Sequence, residues 1–195
     1  QMDCHFTLSA YDSALNYANL LSGEAGASAS LRNRAGLVTG KIMVARGRLE
    51  EAKDEFLALI NDAQDEFGAE AKYRLAEILF TEGAHRQCYE TILSLNRDYS
   101  AYTEWVGKGF LLLAESFAAT GEIFQAKATL RSLEKFPLES IRDEALRRLA
   151  RIEMEESRKT LIPADSVRAS AVPRCARRIA HSIDRCPFQR RPWRR

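Results

Sequence analysis

The sequence predicts an all-α chain built from a repeated pair of helices, and three observations lead there. Gly47, Gly83 and Gly121 lie 36 and 38 residues apart, and similar runs follow them: GRLEEAKDEFLAL, GAHRQCYETILSL and GEIFQAKATLRSL. Five places after each Gly stands a small residue (Ala52, Cys88, Ala126). An apolar residue follows four later (Phe56, Ile92, Leu130) and another three beyond that (Leu59, Leu95, Leu133). Steps of four and three place these side chains on one helical face. Gly and Pro total only 15 and cluster at a few points, which argues against an all-β fold with many turns.

The elements follow in chain order. SAYDSALNYANLL fits the second helix of a pair, with Ala14 in the small position, and predicts a helix at about 9–22. SGEAGASAS (22–30) reads as a small-residue loop. Three pairs come next, at 33–67, 70–99 and 102–137. Their first helices are carried by LVTGKIMVAR, YRLAEILFTE and FLLLAESFAAT. The Gly after each first helix suits a C-terminal cap, which needs a left-handed backbone that Gly reaches cheaply. The small residue lets the paired helices approach closely. SIRDEALRRLARIEMEE predicts a closing first helix at 139–159. One pair cannot cover its own apolar face, so neighbours stack and share a core.

This pattern resembles the tetratricopeptide repeat. The best copy runs Phe110, Leu113–Ala114, Phe117, Gly121, Ala126, Leu130, Leu133, Pro137. No copy has the Trp of the family's first position, Cys88 replaces the signature Ala, and one copy ends in Pro. The resemblance implies an α-solenoid, a right-handed superhelix of antiparallel helix pairs. Residues 1–159 would form the array, a piece of a longer one, since the chain opens and closes within a repeat. AYTEWVGKGFLLLAESFAATGEIFQAKATLRSL is similar to repeats of large tetratricopeptide proteins of the bacterial cell envelope. That similarity implies a periplasmic or outer-membrane-associated location.

Catalytic constellations are missing from the sequence. His5, His85 and His181 belong to no metal spacing, and the four cysteines are too scattered for a zinc site or a disulfide scaffold. His85, just after a turn Gly, is expected to pack in the turn, and Cys88 to behave as a small buried hydrophobe. GLVTGKI has three residues between its glycines where a phosphate loop has four, and Ile42 where Ser or Thr would hold magnesium. Glu50/Asp54, Glu51/Glu55 and Arg147/Arg151 read as solvated helix faces. No enzyme activity, cofactor or metal is expected. No run of about 20 apolar residues predicts a membrane span, and QMDCHFTLSA lacks the layout of a signal peptide.

Binding is expected on the concave face lined by the first helices. Aligned copies place Arg34, Leu37, Val38 and Lys41 there, then Glu70, Tyr73, Arg74, Glu77 and Phe80, then Lys108, Leu111, Leu112 and Glu115. Of these, Arg34, Lys41, Tyr73, Arg74, Glu77, Lys108 and Glu115 are the candidate partner-binding residues. Charge beside apolar area is what a groove for a peptide or partner helix requires. The Lys/Asn set with which some tetratricopeptide proteins clamp acidic C-termini finds no Asn at the matching positions.

The net charge of +2 hides a split. Residues 166–195 hold nine Arg, no Lys and one acid, a net +8, which leaves 20 bases against 26 acids, or −6, for the rest. Residues 160–195 are expected to be irregular, and two readings compete. A basic arm gripping phosphate would make the chain a nucleic-acid-associated adaptor. Alternatively the segment was never selected to fold, as in read-through of a shifted frame, and Arg, Pro, Cys and Trp without Lys favours this second reading. The sequence thus predicts a non-catalytic scaffold for a protein or peptide partner.

Overall fold

A computed structural model describes Met2, residues 10–24 and residues 26–161, with the backbone alone for 160 and 161. Among the described residues all regular structure is helical. The helices are α1 (Tyr11–Gly23), α2 (Ala29–Ala45), α3 (Leu49–Asp62), α4 (Glu66–Thr81), α5 (His85–Asp98), α6 (Thr103–Ala119), α7 (Ile123–Ser132) and α8 (Glu139–Leu161), with a 3-10 turn at Leu133–Lys135 between the last two. Contacts divide the chain after Glu153. The geometry below belongs to the unit ending there; the described part of the other is the last two turns of α8, with Met154 largely exposed.

Three hairpins close in one way. Gly47, Gly83 and Gly121 have φ of 73°, 75° and 83°, a left-handed conformation that costs a side-chain-bearing residue free energy. Each turn carries the two hydrogen bonds of a Schellman cap. Gly47 N donates to Val44 O and Arg48 N to Met43 O, both at 2.9 Å, and the same pairs recur around Gly83 and Gly121. Within a hairpin the helices run antiparallel: Gly36 faces Leu59, and four residues on, Gly40 faces Phe56.

Ala52, Cys88 and Ala126 are fully buried at these helix crossings. Phe56, Ile92 and Leu130 surround them, backed by Leu59, Leu95 and Leu133. Successive helices pack on one another from α1 to α7, and the first helices also meet directly, α2 with α4 and α4 with α6. On α8, Ile141, Ala145 and Leu149 pack with Leu111, Ala114, Leu130 and Leu133 of α6, α7 and the 3-10 turn. The helices α2, α4 and α6 are thus covered on more than one side, which explains why α4 buries Ala69, Ala71, Lys72, Leu75, Ala76, Ile78 and Leu79 together.

Several expected boundaries shift. The loop expected at 22–30 shrinks to 24–28, because α1 runs through Gly23 and α2 starts at Ala29. Ser22 Oγ donates to Ala18 O at 3.0 Å, and the Ser28 side chain caps α2 by accepting from Leu31 N. The repeat border expected between 67 and 70 falls inside α4. That helix starts at Glu66, where Asp65 Oδ1 accepts from Phe67 N and Gly68 N at 3.0 and 3.1 Å. α8 reaches Leu161, two residues into the segment expected to be irregular. The rest of that expectation, on residues 162–195, lies outside the described residues, as does residue 9 of the leading helix.

Candidate functional site

The candidate residues sit on α2, α4 and α6; one ion pair ties α2 to α4 and another ties α6 to α8. Lys41 Nζ on α2 donates to Glu70 Oε1 on α4 at 3.1 Å. The same Glu70 oxygen accepts from Arg74 Nε and Nη2 at 3.3 Å, and Arg74 Nη1 donates to Glu77 Oε2 at 2.8 Å. On the far side, Arg148 Nη1 of α8 reaches Glu115 Oε2 at 3.0 Å and Leu111 O at 3.2 Å, both on α6. Its Nε donates to Glu144 Oε1 at 2.7 Å.

Aromatic side chains fill the junction of α4 and α6. The Tyr73 and Trp105 rings lie 5.6 Å apart, tilted by 39°. Arg74 Cζ stands 5.7 Å from the Tyr73 ring and 6.0 Å from that of Trp105, and Lys108 Nζ lies 4.2 Å above Trp105. Lys108 also donates to Glu104 Oε1 at 2.6 Å. The faces of both rings carry negative partial charge, so these cations are well placed. Trp105 is buried, and its Nε1 has no hydrogen-bond acceptor among the described residues.

The electrostatics follow from these neighbours. Burial raises the Tyr73 phenol well above the usual tyrosine range, and the Glu77 carboxylate bonded to it adds to the rise. Hydrogen bonds from Arg148 and then Arg147 hold the Glu144 carboxyl below its ordinary value. Lys41, Arg74, Lys108 and Arg148 face Glu70, Glu77, Glu104, Glu115 and Glu144, so the face is close to charge-balanced.

Five of the seven candidates therefore belong to one network, Lys41 through Glu70, Tyr73 with Arg74 and Glu77, and Lys108 through Trp105; Glu115 pairs with Arg148, whose charge acts on Tyr73 without a bond. Arg34 is exposed at the start of α2. The apolar partners expected beside them are corrected: Leu37, Val38, Leu111 and Leu112 are buried, and Phe80 packs half-buried against the core. The flanking helices cover the very positions that a lone helix pair would leave open. Trp105 and Arg148 are the members that repeat alignment misses. Trp105 precedes the aligned segment of its repeat, and Arg148 lies on the closing helix, outside the three aligned copies. The signal available was an Arg on the closing helix predicted at 139–159.

Elsewhere, Cys88 is buried at its helix crossing, and burial pushes its thiol up to about 11, leaving it protonated and inert at neutral pH. His85 Nδ1 lies 2.9 Å from Ser116 Oγ, with the Phe80 ring edge-on at 5.7 Å. Among the described residues no helix is long and apolar enough to cross a membrane. Comparison with family models, curated proteins and solved structures finds no match to this chain.

Proposed function

We propose that the chain is a stretch of tetratricopeptide-like α-solenoid, a right-handed superhelix of antiparallel helix pairs. In this reading it serves as a non-catalytic scaffold that receives a peptide or partner helix along the concave face formed by α2, α4, α6 and α8. The observation that carries the reading is the charge and aromatic network that joins α2, α4 and α6, centred on the half-buried Tyr73 and Lys108, with the Glu115–Arg148 pair of α6 and α8 beside it. The half-buried Tyr73 ring supplies apolar contact, and flanking charges set the register of a bound segment. The three identical hairpin caps and the buried Ala52, Cys88 and Ala126 support the repeat architecture. The likeness of residues 101–133 to envelope repeats supports membership in a larger bacterial envelope-associated protein.

Selection of binders from a random peptide library against the full chain tests the proposal. Selected peptides should lose at least about tenfold in affinity for Tyr73→Ala and for Lys108→Glu, the loss typical of removing one interface anchor. They should bind Glu51→Lys, changed on α3, as they bind the parent. Peptides indifferent to both first-helix variants overturn the reading.

A further inference from the structure

Phe124 has the most exposed large apolar side chain among the described residues, at 78%. It is the third residue after the turn Gly121; the same place holds Glu50 after Gly47 and Arg86 after Gly83. Solvent is the natural surrounding for those two charges, and the helical hairpin gives no reason for a phenyl ring there. Two residues earlier, Glu122 borders a cavity of about 450 Å³ whose other walls include Arg86, Tyr89, Leu113 and Phe117. The Tyr89 and Phe117 rings are 5.9 Å apart, and the His85–Ser116 hydrogen bond fixes a third wall. An apolar cavity of about 150 Å³ already holds a benzene ring, so this one has room for a phenyl group.

A protruding ring and, two residues away along the chain, a cavity with ample room for one are the two halves of a self-complementary contact. We propose that the chain forms a two-fold dimer in which Phe124 of each copy seats in the Tyr89–Phe117 cavity of the other. In such a contact a residue pairing across the axis does so twice. The rim carries opposite charges to match: the exposed Glu122, and Arg86, whose side chain is 91% exposed. Arg86 Nε donates to the exposed Glu90 at 3.1 Å, an i,i+4 surface pair that leaves the other guanidinium nitrogens for a partner. Arg86 of one copy then meets Glu122 of the other at both ends. The interface uses no member of the first-helix network and does not rest on the function proposed above. An aromatic side chain buries about 150–250 Å², so two of them with their rims reach only the lower limit of stable interfaces, near 1,000 Å². The dimer is therefore concentration-dependent.

Sedimentation equilibrium of the full chain under reducing conditions is the test, from low micromolar to about 1 mM, the range in which contacts of this size work. The mean mass should climb from one chain towards two. Phe124→Ser should raise the dissociation constant at least about tenfold, with an unchanged helical circular-dichroism spectrum because the ring is exposed. Arg86→Glu should weaken association, and Arg86→Glu combined with Glu122→Arg should restore it. A parent chain that stays single throughout, or a Phe124→Ser variant that associates as well as the parent, overturns the proposal. A double variant no tighter than Arg86→Glu overturns the two-fold arrangement.

Discussion

Burying an ammonium group without a counter-charge is costly, and Lys72 shows how a single side chain is accommodated. It is 8% exposed, donates to Asp98 Oδ2 at 2.7 Å and lies 5.4 Å from the centre of the Tyr99 ring. Asp98 also accepts from Arg97 Nε at 2.7 Å. Together the Arg97 and Lys72 bonds hold its carboxyl far below the usual carboxylate range. A depressed carboxyl stabilises the fold above its unfolded value, about 3.9, and that contribution fades as pH falls towards the folded value. Breaking a buried pair costs about 3–5 kcal/mol; because the Asp98 side chain is 31% exposed, solvent screening reduces this to about 1–2 kcal/mol for Asp98→Asn at pH 7. Urea unfolding over a pH series should show that difference intact above about pH 5 and closing below pH 4; a pH-independent gap would refute the assignment. Cys88 gives a second residue-level expectation. Site-resolved alkylation should modify it only in denaturant, since its protonated thiol has no access to solvent. The burial of Cys88 was legible because its place in the repeat demands a small residue. The exposure assigned to Leu37, Val38, Leu111 and Leu112 failed, since one pair's pattern does not tell how far its neighbours reach over it.

At the scale of the element, glycine acts in two opposite ways. Gly47, Gly83 and Gly121 supply a left-handed turn in open space, so an added methyl meets no neighbour and the cost is conformational alone. Each Gly→Ala change there should destabilise by about 1 kcal/mol. Gly40 is mid-helix, where alanine would add roughly 1 kcal/mol of helix propensity, but its Cβ would overlap the buried Phe56 ring. Overpacking of this kind costs about 1–3 kcal/mol. Gly40→Ala should therefore be destabilising despite its better propensity, and denaturant melts of the four variants would show it; a stabilised Gly40→Ala would mean that α2 and α3 have room to part. The turn glycines were readable from their spacing. The starts of α2 and α4 were not, because they depend on the Ser28 and Asp65 side chains accepting from backbone amides, and small polar residues read equally well as loop.

For the unit ending at Glu153, connectivity decides which parts open first. α4 packs against α2, α3, α5 and α6, whereas α1 packs chiefly against α2, where Ala14 and Ala18 meet Ala35, Val38 and Ile42. Opening α1 uncovers one small cluster; opening α4 breaks the large core around Phe56, Leu75 and Ile92 together with the Tyr99–Trp105 cluster. α1 also lacks a side-chain N-cap, while α4 has Asp65 bonded to two backbone amides. Local opening free energies run from near zero at weakly held elements up to the global value in the best-packed ones. Native-state hydrogen exchange should accordingly find α1 amides exchanging at least about tenfold faster than those of α4, a ratio set by an opening difference of about 1.4 kcal/mol or more. The Lys41–Glu70 and Arg148–Glu115 pairs join first helices at either side of α4 and α6, but partly exposed ion pairs contribute only about 0–1 kcal/mol each. They should leave this gradient nearly unchanged when neutralised. Equal protection of α1 and α4 would instead require the unit to open as one body, with burial shared evenly along it rather than concentrated where four helices converge on one.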